Sequence, residues 1–428
     1  MRRGNIDNNI DEEERLVVNN KENDKENDKI KVKLFMWLII TIFLFYQIYS
    51  MISYTLGNKE KEKMWLYNSV SSVVNVVYSH APKQTEENYS LKFAALGDIY
   101  LSSNTLKGAK GTSSYDFSTG TDSISSELKK FDIVMASLAT PVVDNSSYTS
   151  KDTYNAPNEL LDTLKKLNIS IVATATYHAM DKSENGIVAT TTELKNKNIA
   201  QIGISSESRN NPIVITKNNI TLGILSYTTS SQTKISDKKD YLVNVFNEKD
   251  LKKDIEYLKS KNVDYIISYL YSQNQDSKIT TSKQKECVDI LFKNGVNVVF
   301  GTGSNTVQNT EEDLITVNEK DSHVYIAYGL GDFIGSYETE ENRLSTISSI
   351  EFTKTIKKDK KGQETSIETD MKVADLSGIW TKFSAKYIKS MYLVNSEIEN
   401  YDNDKSNITS SDYLELKNAK EYLDEIAK

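Results

Sequence analysis

A layered α/β fold is what this sequence predicts, on three observations. From Leu91 onward, short apolar runs rich in β-branched residues, such as ISIVATAT and VNVVFGTG, alternate with segments of helical periodicity, such as ELLDTLKKL and DLKKDIEYLKSKN. The apolar runs close on glycine or polar residues, the end at which α/β sheets gather ligands. The chain has 428 residues, 38% of them hydrophobic, enough for a sizeable core in one large domain or two medium ones.

Residues 1–33 carry the tandem KENDKEND, nearly balanced charges and almost no apolar periodicity, the composition of a disordered cytoplasmic tail. Leu34–Tyr54 (LFMWLIITIFLFYQIYSMISY) then contains no charged side chain. At a rise of about 1.5 Å per residue this run spans about 30 Å, the hydrocarbon thickness of a bilayer. Trp37, Tyr46, Tyr49 and Tyr54 supply interface anchors. The run is too long and starts too deep for a cleaved leader, and no small-x-small site follows, so it reads as an uncleaved transmembrane signal anchor. Lysines flank it on both sides, and the further Arg and Lys residues of the tail tilt the balance toward a cytoplasmic N-terminus. The expected location is a single pass through the cell membrane, with the main domain extracellular. Residues 55–90 form a charged, then amphipathic connector that includes His80.

The main α/β domain is expected at 91–355. LKFAALGDIY is a strand ending at Gly97-Asp98, SISSELKKF a helix and DIVMASLA a strand. Asn155 is placed to N-cap ELLDTLKKL, with Pro157 in its first turn. ISIVATAT is a buried strand, NGIVATTTELKNKN a helix and IAQIGI a strand. IVITKNNITLGILSY reads as a hairpin turning at Asn218-Asn219. DLKKDIEYLKSKN and SKQKECVDILFKNG are helices, the second with Gly295 at its C-cap. VDYIISYLY, VNVVFGTG and HVYIAYGLGDF are strands. After Glu340 the pattern turns to β, with STISSIEFTKTI and SIETDMKVADL around a charged turn. Residues 356–428 are a C-terminal β and helical extension, and its last helix, SSDYLELKNAKEYLDEIAK, starts at a Ser cap.

Composition narrows the functions. A net charge of −8 argues against a nucleic-acid partner, which needs a basic face. The single Cys287 excludes an intrachain disulfide and reads as a buried apolar residue. Only three histidines are present, His80, His178 and His323, which limits every metal site. No G-x-S-x-G, Walker or dinucleotide-binding glycine pattern occurs, and no feature selects a glycosidase carboxylate pair.

The strand ends carry Gly97-Asp98, Ser137–Pro141, Tyr177–Asp181, Tyr271–Gln273, Gly301–Asn305 and Gly329–Phe333. In this order and spacing, over about Leu91 to Phe352, they resemble the CapA family of capsule-synthesis proteins. That resemblance implies a metallophosphoesterase-like α/β sandwich, membrane anchoring and a part in poly-γ-glutamate capsule biosynthesis. The family's GD-x-M stands here as Gly97-Asp98-Ile99-Tyr100. Its Asn-Leu-Glu-Thr-Pro is Ser137-Leu138-Ala139-Thr140-Pro141. Its Ala-Asn-Asn-His-Ala-x-Asp is Ala175-Thr176-Tyr177-His178-Ala179-Met180-Asp181. The expected His-Trp-Gly is Tyr271-Ser272-Gln273, the expected Gly-His-His-Pro-His is Gly301-Thr302-Gly303-Ser304-Asn305, and the closing Ser-Leu-Gly-Asn-Phe is Gly329-Leu330-Gly331-Asp332-Phe333.

The skeleton is retained and most metal-ligand types are substituted. A two-metal site needs several His, Asp and Asn donors converging on two cations. Asp98, His178 and Asp181 remain as a remnant, enough at most for a single weakly bound divalent metal, and no other cofactor is expected. Asp98, His178 and Asp332 are the candidate catalytic groups. Tyr177, Tyr271, Gly301 and Asn305 are expected to line the cleft. Structural alternatives stay open: Asp98 capping a turn, His178 as a core group, Asp181 capping the next helix, Asp332 in a turn, and His323 at the surface. The leading expectation is a non-catalytic, membrane-anchored protein of capsule or other surface-polymer biosynthesis. Its partners would be membrane subunits of a polymer synthase, the lipid bilayer through 34–54, and an anionic surface polymer. The competing expectations are a divergent one-metal hydrolase of phosphoesters or polymer amides, and a surface binding protein.

Overall fold

The computed structural model describes residues 33, 36–50, 85–144, 147–149, 153–274, 276–317, 319–374 and 376–427. The chain divides into two units, Met1–Lys83 and Gln84–Lys428. In the first, residues 36–50 form a helix whose apolar side chains are exposed on every side, Trp37 at 70% and Phe45 at 74%. Among the described residues no helix is long and apolar enough to cross a membrane. The anchor expected at 34–54 runs past the described residues at both ends, and the tail before Lys33, the connector from 55 to 84 and His80 lie outside them.

The second unit begins with β1 (Thr85–Ile99), α1 (Ser103–Ala109), α2 (Asp122–Leu128), β2 (Ile133–Leu138), α3 (Glu159–Lys166), β3 (Ile169–Ala173), α4 (Ser183–Asn196) and β4 (Ala200–Ile202). It continues through β5 (Ile213–Lys217), β6 (Ile220–Thr228), α5 (Glu248–Ser260), β7 (Tyr265–Tyr271), α6 (Ser282–Lys293), β8 (Val298–Thr302), β9 (Thr310–Val317) and β10 (Lys320–Ala327). It closes with β11 (Asp332–Ile334), β12 (Leu344–Lys358), β13 (Glu364–Val373), β14 (Ser377–Phe383), β15 (Lys389–Leu393), α7 (Val394–Asp402) and α8 (Ser410–Ile426).

These strands make two sheets. A nine-stranded sheet has the order β15-β14-β12-β1-β2-β3-β4, with β11 on β1 and β13 on β12; a six-stranded sheet has the order β5-β6-β7-β8-β10-β9. The alternation of side chains along each strand explains why they stack. On β1, Leu91, Phe93 and Ala95 face the second sheet, where they join one core with Leu222, Ile224, Ile267 and Phe300. Ala94 and Leu96 face the other way, onto Ile124 and Leu128 of α2 and Leu160, Leu161 and Leu164 of α3. The outer face of the second sheet is covered by Leu251, Ile255 and Leu258 of α5 and by Cys287, Val288 and Leu291 of α6. The result is a helix–sheet–sheet–helix layering. The helices α7 and α8 pack around Trp380 of β14.

A hydrogen bond also crosses between the sheets. The buried Tyr269 hydroxyl of β7 donates to the Met135 carbonyl at 2.9 Å and approaches that of Leu96 at 3.2 Å. Tyr269→Phe is expected to lower stability by about 1–2 kcal/mol, since it removes a buried donor while keeping the ring. Urea unfolding followed by circular dichroism would read this as a lower midpoint at unchanged slope.

The hairpin at Asn218-Asn219 forms with both residues at positive φ (50° and 60°), as its turn chemistry demands. Gly295 follows α6 at φ 97°, and Cys287 is fully buried. Other expectations are corrected. Asn155 does not cap α3, whose N-cap position is Asn158; the buried Asn155 side chain instead bonds the backbone N–H and carbonyl of Val143. The last helix is capped by Thr409 with Asp412 in a capping box, one residue before the serine pair. Positions 91 and 355 fall inside β1 and β12, which pair with each other from Thr85↔Lys358 to Leu96↔Ile347.

Candidate functional site

The site sits where the parallel strands of both sheets end. Asp98, near the end of β1, is in register with Ser137 of β2 on one side and with Asp332 of β11 on the other. Neighbouring positions on parallel strands point to the same face, so the two carboxyls lie side by side. Glycines allow this. Gly97 faces the backbone of Gly331, and the Asp98 N–H donates to the Gly331 carbonyl at 3.0 Å.

Both acids are sealed from solvent, Asp98 at 2% exposure and Asp332 at 0%. Asp98 Oδ2 accepts the Gly303 N–H at 2.6 Å, and Asp332 Oδ2 accepts the Tyr100 hydroxyl at 2.7 Å. The second oxygen of each, Oδ1, has no partner. Burial pushes Asp98 up to about 6, against the pull of the nearby Ser137 hydroxyl, the Gly303 N–H and the Thr302 hydroxyl. Burial also pushes Asp332 well above the carboxylate range, and the neighbouring Asp98 charge adds to it. A pair of closely spaced buried carboxyls favours keeping at least one proton.

His178 and Asp181 are engaged with each other. His178 Nδ1 lies 2.8 Å from Asp181 Oδ2, which also accepts the Tyr154 N–H at 2.6 Å. The expectation that Asp181 caps the next helix is corrected: the N-cap position of α4 is Lys182, with no side-chain cap. Asp98 likewise caps no turn of its own but holds the loop after β8, and Asp332 opens strand β11 rather than lying in a turn. Asp181 Oδ1 and Thr176 Oγ1 are further buried oxygens without partners.

Aromatic rings occupy the remaining space. Tyr100, Ala139 and Tyr271 form a buried cluster with Tyr154 and Tyr177 packed on it. The Tyr154 ring lies 4.3 Å from that of His178 and stacks on Tyr100 at 5.1 Å; Tyr177 meets His178 edge-on at 5.1 Å. Gly301, on β8, packs closely on the end of the neighbouring strand β10: a Cβ there would meet the Tyr328 carbonyl at 2.1 Å. Asn305 adopts a left-handed conformation (φ 61°) in the loop beyond β8. His323 pairs with Glu312 across the β9–β10 ladder at 2.5 Å, remote from this site.

The residues present do not fit a two-metal centre. Among the described residues no group of three His, Cys, Asp or Glu side chains could hold a metal ion. Each retained acid has one oxygen committed to the protein, and tyrosines stand at Tyr177 and Tyr271 where the resemblance implied an amide and an imidazole. Sequence reasoning missed the roles of Tyr100 and Tyr154. Tyr100 was legible as the residue replacing the methionine of GD-x-M; nothing in the sequence marked Tyr154.

Residues 92–337 match the family model described as bacterial capsule synthesis protein PGA_cap. No curated protein matches the sequence. Among solved structures, a 5'-nucleotidase precursor from Thermus thermophilus is similar at 12% identity and a TM-score of 0.34, covering 67% of this chain and 54% of its own. The sulfate thiohydrolase SoxB of Thermus thermophilus, in complex with glycerol, is similar at 9% identity and a TM-score of 0.30, covering 56% of this chain and 38% of its own. The chain thus spans about half the length of the first of these and less of the second.

Proposed function

This chain belongs to the bacterial capsule synthesis protein family PGA_cap, and from that premise we propose that it acts without a catalytic metal centre in the biosynthesis of a capsule or related surface polymer. One observation carries the non-catalytic reading. The strand-end acids are closed off by the protein itself, through Tyr100 on Asp332, the Gly303 N–H on Asp98, and His178 with the Tyr154 N–H on Asp181. In this reading residues 34–54 anchor the chain in the cell membrane, with the N-terminus inside and the α/β unit outside. The exposed apolar side chains along 36–50 support that anchor. The partners are membrane subunits of a polymer synthase that pack against the anchor, and the polymer itself.

A second reading is favoured by the orphaned Oδ1 atoms of Asp98 and Asp332, which could face one cation. The protein would then be a divergent hydrolase using Asp98, His178 and Asp332. Metal analysis of the purified protein after exposure to Mn, Zn and Fe decides between the two. The non-catalytic reading expects substoichiometric metal, unchanged in Asp98→Ala and His178→Ala. One equivalent of metal that disappears in both variants would overturn it.

A further inference from the structure

A second polar recess lies on the far side of the loop that follows β6. On one side this loop touches the strand-end cluster: the Thr229 N–H donates to the Tyr271 carbonyl and the Gln232 N–H to the Tyr177 carbonyl. On the other, Ser231 and Lys234 line a cavity of about 320 Å³ together with Arg209, Asp237, Asp240 and Asn247. That volume is at the small end of the range of about 300–1,000 Å³ typical of small-molecule sites.

Arg209 is fixed in place. One terminal nitrogen donates to Asn244 Oδ1 at 2.7 Å and the other to Asp254 Oδ2 at 2.6 Å, and the buried Tyr227 hydroxyl donates to the same Asp254 oxygen at 2.6 Å. These bonds use one hydrogen on each terminal nitrogen of the guanidinium, which carries a further hydrogen on each, and Arg209 lines the cavity. Ser231 Oγ and Arg209 Nε are buried without partners. Asp250 also reaches the recess, but its carboxylate is occupied by Asn247 and Lys253. Lys234, Asp237 and Asp240 make no ion pair among the described residues.

The walls therefore present both signs of charge with a hydroxyl among them. A simple anion would meet Asp237 and Asp240, and a simple cation would meet Arg209 and Lys234. A ligand carrying both charges satisfies both sets. We propose that this recess binds a small zwitterion of the amino-acid type, its carboxylate on Arg209, Lys234 and Ser231 and its ammonium on Asp237 and Asp240. This assignment is independent of the capsule reading.

Calorimetric titration of the full chain in detergent, with each of the twenty protein amino acids, tests it. Acetate and methylammonium serve as single-charge controls. At least one amino acid is expected to bind, and its affinity to fall by about tenfold or more in Lys234→Gln and in Asp240→Asn. Both residues are exposed, so these variants keep the fold, and circular dichroism would confirm that. The proposal is overturned if no amino acid binds up to about 10 mM. It is equally overturned if acetate or methylammonium binds as tightly, or if both variants bind as the wild type does.

Discussion

Asp98→Asn is expected to raise the stability of the folded protein above pH 6, by about 1–3 kcal/mol, although it alters a buried acid of the candidate site. The sign follows from the direction of the shift. The ordinary aspartate value is 3.8, and burial moves Asp98 to about 6 in the folded state. Between those values the native state holds a proton that the unfolded state has released, so stability falls as pH rises from about 4 to about 6 and stays lower beyond. Asparagine removes that penalty and can still accept the Gly303 N–H through its Oδ1. Below pH 4 the advantage should vanish, because both states of the wild type are then protonated. Asp98→Ala also removes the penalty but strands the buried Gly303 N–H, so it should lie about 1–3 kcal/mol below Asp98→Asn at every pH. Urea midpoints at pH 4, 6 and 8 in EDTA read all of this. An Asp98→Asn protein less stable than wild type at pH 8 would sink the idea. Repeating the series with Mn adds the hydrolase reading: a bound cation would make the same substitution destabilising in Mn alone.

The layering was legible because the inner strands of both sheets are buried on two faces and so carry near-continuous apolar runs; β2, IVMASL, and β7, YIISYLY, are cases. The strands at the margins were not. β9 reads TEEDLITV, with its charged half exposed, and β15 is only KSMYL, so neither shows a decisive period. Positions 91 and 355 fall inside strands for one shared reason. The outer halves of β1 and β12 support each other as a polar two-sided ladder that has meaning only when paired. Asn155 and Asp181 misled in the same way. Each has the residue type of a helix cap, and each is recruited by a distant backbone group instead, Val143 and Tyr154 respectively. The substituted metal positions were readable one by one. That Asp98 and Asp332 become neighbours was not, because it depends on the three-residue β11 returning to the edge of β1.

Gly97→Ala is expected to be the most damaging single methyl addition at the site, costing at least about 3 kcal/mol or preventing folding outright. The cause is space and not φ. A Cβ at Gly97 would sit 1.8 Å from the Gly331 oxygen, 2.9 Å from the Gly331 carbonyl carbon and 3.1 Å from that of Leu330. All three are backbone atoms, so no side-chain rotation relieves the contact. The Gly331 oxygen also accepts the Asp98 N–H, so moving it away breaks the bond that sets β11 beside β1. Gly295→Ala is the control. Its φ of 97° is unfavourable for alanine, but nothing lies within 4 Å of the added carbon, so its cost should be about 1–2 kcal/mol. Denaturation midpoints of the two variants should differ accordingly. If Gly97→Ala does fold, Asp98 and Asp332 should be displaced from each other, and the pH dependence of stability assigned to their shared burial should shrink with it. A Gly97→Ala protein as stable as Gly295→Ala, with the wild-type pH profile, would mean that the close approach of β1 and β11 does not hold the acid pair together.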